Sequence, residues 1–222
     1  MKITLSEEIK TACPALHVLA IRAKVKNTTY DEGLWQEIAA LEETIRTEQT
    51  LEQVNKIPTI QATRQAYKVL GKDPNRYRPS AEALHRRIHR GLPLYQINTL
   101  VDLINLISIK TGYSIGGFDT GKIEGDLELG VGKAGERYEG IGRGELNIEG
   151  LPVYRDKIGG IGTPTSDEER TKIELETTSL LMIINAYSGE DGLEETKDWS
   201  IGLLEKYVGA TDIEAIMLKA KA

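Results

Sequence analysis

Three polar side chains on one apolar helix, and a glycine-rich turn beyond it, are the residues of this 222-residue chain whose types and spacing suit chemistry. Asp102, Asn105 and Ser108 follow each other three apart in INTLVDLINLISIK, which puts them along one drifting stripe of a helix. Leu100, Val101, Leu103, Ile104, Leu106, Ile107 and Ile109 leave no side of that helix polar, so the spacing predicts a buried helix whose polar groups must find partners. A site beside the stripe satisfies that requirement. So does a capping pair of Thr99 and Asp102, with Asn105 and Ser108 bonding nearby backbone and Gly112 ending the helix in a left-handed turn. The next segment, Ile115-Gly116-Gly117-Phe118-Asp119 and then Lys122-Ile123-Glu124-Gly125-Asp126, sets four ionisable side chains within eight residues of a bare backbone. Adjacent glycines let a ligand approach and offer amides as donors, the floor of a pocket; the same pair also serves as a tight turn.

The elements that must position these residues follow from periodicity. Lys2 to Leu5 is a short strand, and Ser6 caps a brief helix through Thr11 with Glu7 and Glu8 in its first turn. Leu16 to Val25 alternates as a central strand, and His17 within it is expected to be partly buried. Asp31 to Gln49 and Thr59 to Leu70 have helical spacing; Ser80 caps a helix over 81–90. Leu127, Leu129 and Val131 alternate as a strand, 132–152 suggests short strands joined by turns, Val153 to Asp156 resumes a strand, and Gly159 to Pro164 is a loop. Thr171 to Ile184 reads as one or two buried strands, Gly192 to Val208 as a helix, and Ile213 to Leu218 as a closing strand. The fold class is α+β, a mixed, mostly antiparallel sheet core flanked by helices.

Composition narrows the partners. The net charge of −6 argues against a surface that clings to nucleic acid everywhere, but residues 64–90 carry eight Lys or Arg against two acids, while 1–63 sums to −2 and 91–222 to −10. A basic face on an acidic body suits a salt-sensitive encounter with phosphates, through Arg76, Arg78, Arg86, Arg87 and Arg90, or is a solvated helix surface. One cysteine, Cys13, excludes an internal disulfide and fits a small buried residue. No run approaches the length of a membrane helix and the N-terminus lacks an apolar signal core, so the expected location is the cytoplasm. Glu82, His85 and His89 share a helix face as metal ligands would, but four flanking arginines oppose a divalent cation, and no metal or other cofactor is expected. No obligatory protein partner and no membrane partner follow from the sequence.

ArgProSer at 78–80, Glu82-Ala83-Leu84, Arg86-Arg87, Ile97-Asn98, Val101-Asp102, Asn105, Gly112, Phe118-Asp119, Lys122 and Gly125 carry a resemblance. Over roughly Arg64 to Ile184 the chain resembles the editing domain of the bacterial phenylalanyl-tRNA synthetase β subunit, the B-three/four domain, and more closely the free-standing proteins built from that domain. The resemblance implies one domain over 1–222, with 1–63 and 185–222 as extensions. It also implies a deacylase acting in trans on the charged 3′ end of mischarged tRNA. Asn98, Asp102, Asn105, Phe118, Asp119, Gly125, Asp156 and Thr177 match the family pattern. Where that pattern has a histidine before the turn's Phe-Asp, a glutamate after the later strand's aspartate and an arginine ahead of the helix, this chain has Gly116, Ile158 and Tyr95.

The expected roles are these. Asp119 or Glu124 orients water, and the amides of Gly116 and Gly117 take the oxyanion. Thr177 and Asn105 line the pocket with Asn98, Asp102 and Phe118, Lys122 or Arg170 meets the terminal ribose or phosphate, and Asp156 is a polar wall. The competing expectation is a non-catalytic module that binds tRNA or an amino acid, which the missing histidine and glutamate favour. A weaker third option is a metal-bound regulator through Glu82, His85 and His89.

Overall fold

The stretch Ser179–Ala186 is apolar on both sides of its alternation, and it forms the strand on which the rest is built. The computed structural model describes residues 1–221. In chain order the elements are β1 (Ile3–Leu5), α1 (Glu7–Ala12), β2 (His17–Lys24), α2 (Glu32–Glu48), α3 (Pro58–Val69), α4 (Ser80–His89), α5 (Thr99–Thr111), β3 (Ile115–Asp119) and β4 (Leu127–Val131). There follow β5 (Glu139–Gly140), β6 (Gly144–Glu145), β7 (Pro152–Arg155), β8 (Gly160–Gly162), β9 (Ser179–Ala186), α6 (Leu193–Val208) and β10 (Thr211–Lys219).

One four-stranded sheet has the order β10-β2-β9-β3 and is antiparallel throughout. The other, β1-β4-β7-β8, is antiparallel except for the parallel β1–β4 pair, and β5 with β6 makes a two-residue ladder. The α+β class with a mixed, mostly antiparallel core is as expected. Alternation on β9 divides the interior: Leu180, Met182, Ile184 and Ala186 pack with α2, α5 and α6, while Leu181 and Ile183 pack with Phe118, Leu129 and Tyr154 from the second sheet. Both faces of β9 are therefore dry, and α5 lies against one of them with Leu103, Leu106 and Ile107 buried. No helix among the described residues is long and apolar enough to cross a membrane.

Three expectations are corrected. Gly159 to Pro164 is not wholly loop, because Gly160 and Gly162 pair with Arg155 and Tyr154 as β8. A Cβ on either would sit 2.9 Å from the Tyr138 ring or 2.4 Å from the Phe118 ring, so glycine makes room for aromatics of the core. Strand structure in 171–184 begins only at Ser179, because Thr177 and Glu174 close a turn, with Glu174 N–H donating to the Thr177 hydroxyl at 3.0 Å. Ser80 is the first residue of α4 rather than its cap; Pro79 holds the cap position, and Ala81 N–H donates to the Ser114 hydroxyl. β10 ends its sheet as an edge strand.

Candidate functional site

The stripe on α5 separates into spent and open groups. Asn98 caps the helix, its side-chain oxygen accepting from Val101 N–H at 3.0 Å. Asp102 accepts from Ile97 N–H and from the Trp35 indole N–H, both at 3.0 Å; burial pushes its carboxyl up, and these two donors offset part of that rise. Ser108 donates to the Tyr113 carbonyl at 2.6 Å. Asn98 and Asp102 are thus committed to holding the helix start, not to a ligand. Asn105 is the exception. Its half-buried amide has no hydrogen-bond partner among the described residues and lines three adjoining cavities.

Those cavities form one cleft. A basin of about 360 Å³ is lined by Arg78, Arg86, Arg87, Arg90 and Arg143 with Tyr95 and Leu92. A slot of about 340 Å³ is walled by Ile97, Val101, Ile104, Ile115, Ile141 and Ile173, with Gly117 and Asp167 among its few polar groups. Between them a polar neck of about 150 Å³ brings Ser80, Asn105, Thr163, Ser166 and Asp167 together.

Asp167 is the residue that sequence reasoning missed. Its Oδ2 accepts from Gly117 N–H at 3.0 Å, and its Oδ1 has no hydrogen-bond partner among the described residues. Its carbonyl accepts from Ile141 N–H at 2.9 Å, which fixes the backbone beneath it. Burial pushes the carboxyl up to about 7, and the single Gly117 amide offsets only part of the rise. A Cβ on Gly162 would lie 2.9 Å from Oδ1 and one on Gly116 3.4 Å from it, so two glycines from separate strands clear the space around this oxygen. The available signal was Gly160-Ile161-Gly162 followed by Thr163, Thr165 and Ser166, bare backbone and hydroxyls leading to an acid.

Most of the expected site residues form a different structure. Asp119 accepts from Gly121 N–H at 2.9 Å and from the Thr177 hydroxyl at 2.8 Å. Lys122 donates to Glu174 at 2.6 Å and to the Lys172 carbonyl at 3.0 Å. Arg170 grips Asp156 with two nitrogens at 2.9 and 3.0 Å and donates to the Lys122 carbonyl. Asp156 accepts as well from the N–H groups of Glu124, Ile158 and Gly159. Burial opposes its ionisation, and Arg170 with those three amides outweighs burial, holding the carboxyl below its ordinary value. Neither Asp119 nor Asp156 lines the cleft, and Thr177 serves Asp119 rather than a pocket wall. Glu124 is exposed, Phe118 is fully buried core, and Gly125 lies at a separate depression. The Gly117 amide is engaged by Asp167, so it does not await an oxyanion; at Gly116 a Cβ would fall 2.7 Å from the Phe118 ring.

On α4, buried Glu82 accepts from Arg64 at 2.7 Å and Arg86 at 2.8 Å, with Arg78 at 3.5 Å. The carboxylate is occupied by cations, and His85 Nε2 is bonded to the Ile109 carbonyl. No group of three His, Cys, Asp or Glu side chains among the described residues is arranged to hold a metal ion. Arg76 is exposed beside the Tyr77 ring and does not line the basin; Arg143, from the β5–β6 turn, does.

Residues 62–197 match the B3/4 domain family, a wider span than the quoted motifs covered. Among solved structures, the crystal structure of an N-terminal fragment of the phenylalanyl-tRNA synthetase β-subunit from Pyrococcus horikoshii is similar with a TM-score of 0.47 and 15% identity. The match covers 97% of this chain and 53% of that one, so this chain spans about half its length. No curated protein matches the chain. Because the matched family covers more than half of its residues, including α4, α5 and every residue of the neck, the chain belongs to the B3/4 domain family.

Proposed function

We propose that this chain hydrolyses the ester of mischarged tRNA in trans, with the aminoacyl group in the isoleucine-walled slot and the 3′-terminal phosphates in the arginine basin. The observation that supports it is Asp167, a carboxyl with one oxygen open to the neck where slot and basin meet. With a pKa near neutrality, ionised Asp167 takes a proton from water as the water oxygen bonds to the ester carbon. The Asn105 amide donates to the developing oxyanion. The bond from carbon to the ribose oxygen then breaks, and the proton on Asp167 passes to that leaving oxygen, leaving free amino acid and uncharged tRNA.

One observation favours the binding-only reading: the Gly117 amide is already engaged, so the neck offers few donors for an oxyanion. The two are separated by challenging the purified protein with tRNAs charged with non-cognate amino acids. Hydrolysis is expected for at least one, with Asp167→Asn lowering its rate about a hundredfold. Wild-type protein that retains charged tRNA without releasing the amino acid makes this a binding module.

A further inference from the structure

The basin holds more than a phosphate cradle requires. Tyr95 is 61% exposed, yet one ring face is backed by the Arg87 guanidinium, 3.9 Å from the ring centroid. Arg87 also donates to the Tyr95 hydroxyl at 3.1 Å and to the Pro93 carbonyl, so the ring is held against the guanidinium while most of the side chain stays exposed. A tyrosine so exposed contributes nothing to the core, and holding it rigid lowers the entropy lost when a flat partner settles on it. Charge points the same way. Arg78 and Arg86 are shared with Glu82, whereas Arg90 and Arg143 form no ion pair among the described residues, and no acid lines the basin.

We propose that Tyr95, backed by Arg87, is a stacking platform for a nucleobase of a single-stranded RNA end, with Arg90 and Arg143 taking the adjoining phosphates. This rests on the reading of the cleft as a charged-tRNA site and goes beyond it in naming how the nucleic acid is held. A stacked base is accepted for its π-face, whatever its hydrogen-bonding edge. Recognition is therefore tolerant of sequence and confined to the unpaired end. Outside the basic segment 64–90 the chain is acidic, −2 over residues 1–63 and −10 over 91–222, which disfavours close contact with the body of a tRNA. The protein thereby distinguishes an RNA-linked ester from a free amino acid ester without identifying which tRNA carries it.

The test uses an uncharged, fluorescein-labelled single-stranded RNA tetranucleotide and the same tetranucleotide lacking its terminal base, with affinity followed by anisotropy across a salt series. Wild-type protein is expected to bind the base-bearing probe about tenfold more tightly than the abasic one. Tyr95→Ala loses that factor and Tyr95→Trp keeps it, with the salt slope unchanged in both. Arg143→Ala lowers the slope by about 0.7, one phosphate of a single strand. The probe carries no ester, so stacking is read without hydrolysis and the two readings fail separately. Equal affinity of wild type for both probes, or Tyr95→Ala retaining the preference, overturns the platform; absence of any binding overturns it as well.

Discussion

Asp156 and Asp167 lie eleven positions apart in sequence and represent two ways of burying a carboxylate. Asp156 is surrounded: a guanidinium and three backbone amides take its lone pairs and hold its carboxyl below the ordinary carboxylate value. Asp167 receives one amide and keeps one oxygen toward a cavity, so its proton is held up to about 7. The first pins the turn after β4's partner strand to the segment bearing Arg170; it has nothing left to offer a ligand. The second is costly to ionise and unsatisfied, which is the condition of a group awaiting a substrate.

Replacing each acid tests this contrast. Asp156→Ala, which leaves Arg170 and three amides without their acceptor, is expected to cost about 3–5 kcal/mol of stability, seen as a lower denaturant midpoint. A loss below about 1 kcal/mol would break the claim that Asp156 is structural. Asp167→Asn is expected not to lower the midpoint while the proposed deacylation falls about a hundredfold, near 2.7 kcal/mol of barrier; an unfolding comparable to that of Asp156→Ala would erase the distinction. Asp119→Ala removes two hydrogen bonds and is expected to cost about 1–2 kcal/mol with deacylation changed by less than about threefold.

In the pH dependence of stability the two acids have opposite signs. The native state holds the Asp167 proton that the unfolded chain releases near 3.8, so stability from this group falls as pH rises from there to about 7. Melting temperatures of wild type and Asp167→Asn should therefore coincide in acid below about 3.8, draw apart as pH rises to about 7 and stay apart above it, with Asp167→Asn the more stable. Asp156, lowered in the fold, supplies stability present above the unfolded carboxylate value and lost as pH falls below it. A wild-type protein whose stability relative to Asp167→Asn rises with pH would mean that Asp167 has a cation partner.

Local signals in the chain were sufficient for its elements. The all-round apolar face of α5, Asp31 at the start of α2 and Gly112 after α5 are backbone and hydrophobic rules acting within a few residues, and each gave an element close to its observed bounds. Asn105 was recognisable for the same reason, as a polar residue on a helix with no polar side.

What the sequence could not settle was which polar groups are already partnered, because partners come from anywhere in the chain. Asp102 finds Trp35 67 positions away, Asp119 finds Thr177 58 away, and Gly117 finds Asp167 50 away. Charge, glycine and hydroxyl spacing mark residues able to do chemistry; only tertiary packing decides which hydrogen bonds they have spent. By itself the sequence determined a buried helix, most of the strands and a basic segment, since these depend on the period of apolar residues and on composition. The folded chain decided that both oxygens of Asp119 and of Asp156 have partners while Asp167 keeps an open oxygen, because satisfaction of a buried polar group depends on distant atoms brought into contact.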